Sequence, residues 1–329
     1  MTRIPTAFAP RRRSLVLAAG AAALGLPMLQ ARAQTPDLSK VTLRVGDQTG
    51  ASQALLKAAG LLGDVPYKIE WSQFPAAVNL HEALKADATD VGAANDSPTV
   101  SAISGGSKVV VVGGWGNGGA GTALLVPKGS AVKSIADLRG KTISPTTRGS
   151  VAHFLVVGLL KEAGIPLSEV KFAFLSPTDA TAAFGSGSID AWAIWGIFRA
   201  RAQGTLGARV LDDGVRINSG LTLLSATPGA VKDPGKLAAA RHYLALVDRS
   251  YDWGRKNREA YIDFYAAFSK QDRSLAAQLY EENVAYRRVP VDDALVARLK
   301  KTYQVWLDTG VLSGAIDFSE RVLRDGAKA

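Results

Sequence analysis

The chain is predicted to be an α/β protein with mainly parallel sheets. Three observations predict it. Short apolar runs alternate with helical stretches through the first two-thirds, the pattern restarts near residue 122, and everything after Pro234 reads as helix. A length of 329 residues, less the leader described below, suggests two compact domains.

Val41-Thr42-Leu43-Arg44-Val45 reads as the first strand and residues 52–60 as a helix. A second strand is expected at 67–71, a helix at 77–86 and a third strand at 91–94. A helix over 97–104 leads to a valine-rich fourth strand at 108–112. The restart opens with a strand at 122–126 stopped by Pro127, then one at 141–144 running into a helix over 150–163. Strands follow at 170–175, 189–194 and 208–211, and a returning strand at 221–226. Amphipathic stretches over 237–253, 258–268 and 292–307 carry the tail.

The two halves echo each other. The first has strand, Phe74-Pro75, helix, Asp90, strand, then Asn95-Asp96-Ser97-Pro98; the second has strand, Ser176-Pro177, helix, Asp190, strand, then Trp195-Gly196. Two lobes on one plan would produce this, and so would chance similarity between α/β units.

Arg11-Arg12-Arg13, the apolar run over 15–29 and Ala31-Arg32-Ala33 form the three parts of an export signal. The paired arginines before Ser14-Leu15-Val16 fit a twin-arginine address. The run is short and alanine-rich for a membrane span, which needs roughly 20 apolar residues. The alternative is an amphipathic start to the first helix. With no cysteine in the chain, a lipid-bearing thiol, a disulfide framework and thiolate chemistry are all excluded. The expectation is a free mature protein starting near Gln34, in the periplasm or secreted. Removing residues 1–33 takes five arginines and no acid, so 39 Lys and Arg fall to 34 against 29 Asp and Glu, a mature balance of +5. Those cations are scattered, with no basic stripe interleaved with aromatics, so nucleic acid is not an expected partner.

Familiar chemical motifs fail on context. Gly116-Asn117-Gly118-Gly119-Ala120-Gly121 matches a dinucleotide fingerprint but precedes a strand, where the pyrophosphate requires a helix N-terminus. Gly140-Lys141-Thr142 has Ile135 where a phosphate loop needs glycine. His81, His153 and His242 share no metal-ligand spacing, and no nucleophile elbow occurs. No cofactor, metal or catalytic residue is expected.

Candidate ligand groups cluster where strands end and helices begin: 48–52, 95–98 and 145–150. Ligands of α/β sheets bind outside the carboxyl ends of strands, and helix N-termini suit anions. Ser, Thr and Asp are also favoured as ordinary caps, which accounts for any one of these turns alone. Three together argue for a cleft.

Gly149-Ser150-Val151-Ala152-His153-Phe154-Leu155 resembles the G-S-x-A-H-aromatic-Leu segment of the aliphatic-sulfonate-binding proteins of ABC importers. Asp190-Ala191-Trp192-Ala193-Ile194-Trp195 is similar to their D-A-W-A-I-W segment. Val126-Pro127-Lys128-Gly129-Ser130, the 137–141 stretch, and Trp71-x-x-Phe74 followed by Glu82-Ala83-Leu84 agree as well. The resemblance runs in order from about 41 to about 226, and the helical tail matches in general character. The wider group includes taurine-, sulfonate- and nitrate-binding proteins.

The resemblance implies a two-lobed periplasmic binding protein, type II-like, with two mixed sheets, flanking helices and a helical C-terminal tail, closing on ligand like a hinge. Residues 1–33 would be the cleaved signal, 34–122 and 221–329 one lobe, and 123–220 the other. It makes Gln48, Asp96, Ser97, Gly149, Ser150 and His153 the anion-site candidates. Trp192 and Trp195 lie three apart on one strand and point to opposite faces, so Trp195 at the strand end is expected in the cleft and Trp192 in the core. Arg148 would cap the anion as a charge-assisted donor, or stand exposed on its loop. Relatives commonly continue with Asp-Pro-Phe after the second tryptophan; this chain has Gly196-Ile197-Phe198. A carboxylate there could pair with a ligand ammonium, and glycine cannot, which argues against taurine. It leaves room for a bulkier tail on Trp195 and Trp115. Asn95-Asp96-Ser97-Pro98 also departs from the usual Gly-Asp-Ala-Pro.

The expected function is therefore capture of an organic anion, an organosulfonate or sulfate ester, for an inner-membrane ABC permease, by a monomeric non-enzyme. One alternative is an aromatic or heterocyclic ligand such as a pyrimidine precursor, with more ring-stacking and fewer anion donors. A second is an enzyme on the scaffold; such relatives depend on histidine- and cysteine-rich sites. A third is a sensor outside transport.

Overall fold

The computed structural model describes residues 36–326; the expected export signal lies outside them. The first half contains β1 (Thr42–Gln48), α1 (Ala51–Ala58), β2 (Lys68–Phe74), α2 (Ala77–Lys85), β3 (Val91–Asn95), α3 (Asp96–Ser104) and β4 (Val110–Gly116). The middle contains β5 (Thr122–Val126), β6 (Thr142–Ser144), α4 (Val151–Glu162), β7 (Lys171–Phe172), α5 (Pro177–Gly185), β8 (Ala191–Trp195), α6 (Gly196–Thr205) and β9 (Arg209–Asp212). The rest contains β10 (Leu221–Ala226), α7 (Pro228–Lys232), α8 (Pro234–Lys256), α9 (Arg258–Ser269), α10 (Arg273–Gln278), α11 (Tyr280–Val284), β11 (Arg287–Arg288) and α12 (Asp293–Asp308).

These strands form two mixed sheets, one ordered β11-β4-β10-β3-β1-β2 and the other β7-β6-β8-β5-β9. In the first, β1 pairs in parallel with β2 and β3, and β10 runs antiparallel between β3 and β4. In the second, β6 pairs in parallel with β7 and β8, and β5 runs antiparallel between β8 and β9. The sequence echo therefore has a structural counterpart. Asp90 accepts from the Arg44 N–H at 2.9 Å while its own N–H donates to the Arg44 carbonyl at 2.8 Å. Asp190 does the same with Thr142, at 2.8 Å each way. Each carboxylate satisfies a backbone N–H at its parallel pair, where an unpaired donor would be costly.

Helices cover both faces of both sheets, as parallel pairing requires. In the first sheet, α2, α3 and α12 bury Leu80, Val100, Leu299 and Trp306 on one side. Leu56 of α1 and Leu237, Tyr243 and Leu244 of α8 pack on the other. In the second, α4 buries Leu155, Val156, Leu159 and Leu160 against Ile143, and Phe184 of α5 meets Trp192 across the opposite face. Each such side chain contributes about 1.5–3 kcal/mol of burial. A further cluster joins α9, α10 and α11 to Leu55 and Ala200.

The chain passes between the sheets twice, over 117–121 and 213–220, and the two crossovers touch. The Asn117 N–H donates to the Gly220 carbonyl at 2.9 Å. A Cβ on Gly220 (φ +70°) would stand 2.1 Å from the Gly119 nitrogen, and one on Gly119 (φ +95°) 2.6 Å from the Val215 carbonyl oxygen. Only glycine fits both the space and the positive φ. The glycine-rich run is thus a crossover and not a nucleotide loop. Three expectations change: the sheets are mixed and not mainly parallel, because β10 and β5 each return antiparallel to both neighbours; the segment after Pro234 includes the short edge strand β11, made of two exposed arginines without an apolar signature; and a helix, α6, begins at Gly196. Among the described residues no helix is long and apolar enough to cross a membrane.

Candidate functional site

A cavity of about 230 Å³ lies where β1, β3 and β8 end and α1, α3 and α6 begin. Gln48, Asn95, Trp195 and Gly196 mark those strand ends, and Thr222 reaches in from β10. The opposite wall comes from α8, α9 and the α11–β11 segment. It is the place at which α/β sheets bind ligands.

Three helix N-termini converge on it, and they are not equivalent. At α1, Asp47 accepts from the Ser52 and Gln53 N–H groups at 3.1 and 2.9 Å. At α3, Asp96 accepts from the Ser97 N–H at 2.8 Å, and Pro98 has no N–H to offer. The other Asp96 oxygen accepts from the Thr302 hydroxyl at 2.6 Å, and Ser219 adds a further hydrogen bond. Burial pushes both carboxyls above their ordinary pKa, while the hydrogen bonds pull the other way. At α6 the cap is Trp195, which supplies no side-chain acceptor. Gly196, Ile197 and Phe198 of that first turn all line the cavity. Two of the three positive helix ends are therefore occupied by internal carboxylates, and the third faces the cavity without one.

Among the described residues no lining side chain is Lys, Arg or His, and Asp47 is the single charged one. An anion here would be held by backbone N–H groups and neutral donors. Gln48 is fixed by donating from Nε2 to the Ala93 carbonyl at 2.8 Å, leaving its amide oxygen as an acceptor. Aromatic rings complete the walls: Trp195, Phe198, Tyr251, Tyr286 and four residues of α9, Tyr261, Phe264, Tyr265 and Phe268. They brace one another. Tyr251 and Tyr286 stack with centroids 4.8 Å apart, and Phe264 and Phe268 stack at 5.8 Å. Beyond the lining, α6 is joined to the C-terminal helices by the ion pair of Arg199 with Glu282 on α11, 2.9 Å apart, and by Arg201 donating to the Ser269 carbonyl at 3.0 Å.

The structure brings some of the sequence candidates together and sends others elsewhere. Gln48 and Trp195 line the cavity, and Trp192 is fully buried in the second sheet's core. Asp96 and Ser97 are buried beside it and do not line it. Trp115, expected as a tail platform, is buried, donates its indole N–H to Asp248, and supports Tyr251 from behind, edge to face at 6.3 Å. Arg148 lies over the Phe174 ring, 4.3 Å from its centroid, and is outside the cavity. Gly149, Ser150 and His153 are also outside it, because the α4 N-terminus completes its own cap. Ser150 accepts from the His153 N–H at 3.1 Å and donates to the Pro145 carbonyl, while the Gly149 N–H donates to His153 Nδ1. The His153 ring is buried among Phe172, Phe174 and Trp306. Burial, aided by the Arg148 charge, pushes its pKa down to about 4.

The α9 aromatics were not identified as site residues. Their spacing, 261, 264, 265 and 268, is the ordinary stripe of a core-facing helix. Asp47 was missed as well, hidden inside a strand. Among the described residues no cluster of three or more His, Cys, Asp or Glu is placed to hold a metal ion.

The fold has counterparts among known proteins. Residues 69–219 match the family described as NMT1/THI5 like. An Escherichia coli (strain K12) protein named as an aliphatic sulfonates-binding protein is 29% identical over 302 residues, 91% of this chain and 93% of its own. The periplasmic aliphatic sulphonate binding protein SsuA of Escherichia coli, as a crystal structure, superposes with a TM-score of 0.73 at 29% identity, covering 85% of this chain and 96% of that one. The alkanesulfonate-binding protein SsuA of Xanthomonas axonopodis pv. citri, bound to MOPS, gives 0.77 at 24% identity, covering 89% and 100%. The two mixed sheets with flanking helices are the fold of periplasmic binding proteins.

Proposed function

We propose that this chain, with its periplasmic-binding-protein fold and its match to sulfonate-binding relatives, is the solute-binding component of an ABC importer for an organosulfonate or sulfate ester. The observation that carries the reading is the unequal set of helix ends around the cavity. A sulfonate spreads one negative charge over three acceptor oxygens and suits backbone N–H donors better than a single cation. The first turn of α6 is the helix end that no side-chain carboxylate occupies, so the head group belongs there, with the organic part against Trp195 and the rings of α9.

On this reading the two sheets mark two lobes, 34–122 with 221–329 and 123–220, and the touching crossovers form the hinge between them. Opening at the hinge would part α6 from α9 to admit the ligand, and the α6–α9 contact present here would exclude water from the head group, strengthening each hydrogen bond. A permease in the inner membrane is the receiving partner, and residues 1–33 direct export to the periplasm. No step of the account requires chemistry on the ligand.

Calorimetry of the purified protein against alkyl and aryl sulfonates, taurine, sulfate esters, nitrate and inorganic sulfate tests it. Saturable one-to-one binding of an organosulfonate or sulfate ester is expected, with taurine weak. Binding confined to nitrate, or to uncharged heterocycles, would overturn it.

A further inference from the structure

The cavity wall is far richer in rings than an alkyl chain would call for. Four of the chain's eight tyrosines and three of its ten phenylalanines line it, together with Trp195. Among the described residues, the large aliphatic side chains there are Leu55, Ile197 and Val247. A flexible alkyl tail gains as much from Leu or Met as from a ring, because its burial is non-directional. A planar ring gains additional, geometry-dependent contacts from aromatic neighbours.

Tyr286 presents ring surface more than hydroxyl, its hydroxyl being engaged with Thr222 and Asn117. With Tyr251 stacked on Tyr286 and Phe264 on Phe268, the rings are held before any ligand arrives, which limits the ordering cost of binding. Gly196 adds a second, independent opening. A Cβ built there meets no atom within 4 Å, so the space before the α6 turn is free.

We infer that the cavity selects sulfonates carrying an aromatic ring, the sulfonate at the α6 turn and the ring between Trp195 and the aromatic residues of α9. The inference rests on the function proposed above and narrows its ligand.

The test compares toluene-4-sulfonate with heptane-1-sulfonate, matched in carbon count and charge, by calorimetry on the purified full chain. The expected result is roughly tenfold tighter binding of the aryl compound. Phe264→Leu keeps an apolar side chain and removes a ring, and should lower aryl affinity more than alkyl affinity, with folding checked by circular dichroism. Equal or tighter binding of heptane-1-sulfonate by the wild-type protein overturns the inference while the sulfonate function stands. An unchanged aryl-to-alkyl ratio in Phe264→Leu removes the α9 rings as its basis. If the folded protein binds neither sulfonate the inference falls, and if it binds no sulfate ester or other organosulfonate either, the proposed function falls with it.

Discussion

Arg199 of α6 and Glu282 of α11 form an ion pair at 2.9 Å, with the guanidinium buried, and join the helix after β8 to the C-terminal helices. The pair stands behind the cavity wall that carries Phe198 and Tyr265. It ties the helix end assigned to the anion to the rings assigned to the ligand's tail.

Removing Arg199 leaves the half-buried Glu282 carboxylate without its partner. Arg199→Met should cost about 2–3 kcal/mol of unfolding free energy, at the lower end for buried pairs because Glu282 is partly exposed. Arg199→Met with Glu282→Gln should recover part of that loss, since the orphaned carboxylate is gone. Urea denaturation of the three proteins checks it; a single variant as stable as wild type would make the pair incidental.

Asp96 was expected to touch ligand, and the structure makes it an internal tie between α3, α12 and the second crossover. Asp96→Ala strands the Thr302 hydroxyl and the Ser97 N–H and should destabilise the protein by about 2–4 kcal/mol. Thr302→Val should cost less, about 1–2 kcal/mol, by leaving the carboxylate its other partners. Thermal unfolding gives both values. If Asp96→Ala unfolds like wild type but loses ligand, Asp96 is a ligand contact after all.

His81 and His153 are both buried, and burial pushes each down to about 4 from an ordinary 6.5. The unfolded chain then binds more protons than the folded one between those values, so stability is present above pH 6.5 and lost as pH falls toward 4. Each histidine contributes roughly 3 kcal/mol to that loss. Asp47 and Asp96, raised by burial, oppose it over the same acidic range. His153→Gln keeps an acceptor for the Gly149 N–H and should remove about half of the histidine-dependent slope. Urea unfolding at pH 7 and pH 5 for wild type and variant measures this; parallel losses in the two proteins would exclude His153 as a source.

Much of the fold was legible because its strands are short apolar runs ending at residues that must leave the sheet. The repeat of Asp90 and Asp190 was visible too, and the matching hydrogen bonds to Arg44 and Thr142 give it a cause. Gln48 and Trp195 could be found as cavity-lining residues because they sit at strand ends. Ser150 and His153 misled for the same physical reason that attracted attention: a serine before a helix also caps it. The α9 rings were illegible as a cavity wall, since Tyr261, Phe264, Tyr265 and Phe268 have the spacing of a core stripe. What separates a core face from a cavity wall is the tertiary placement of α9 opposite α6.

The central claim is that a sulfonate is held at the first turn of α6. Gly196 has φ +56° and no atom within 4 Å of a built Cβ, and Asn and Asp tolerate that conformation better than other side chains. Calorimetric titration of toluene-4-sulfonate into wild type, Gly196→Asn and Gly196→Asp separates charge from bulk. The account predicts binding by wild type and the Asn variant, and a loss of roughly a hundredfold in the Asp variant through like-charge repulsion. Equal affinity of the Asn and Asp variants would contradict it, by showing that the anion lies elsewhere.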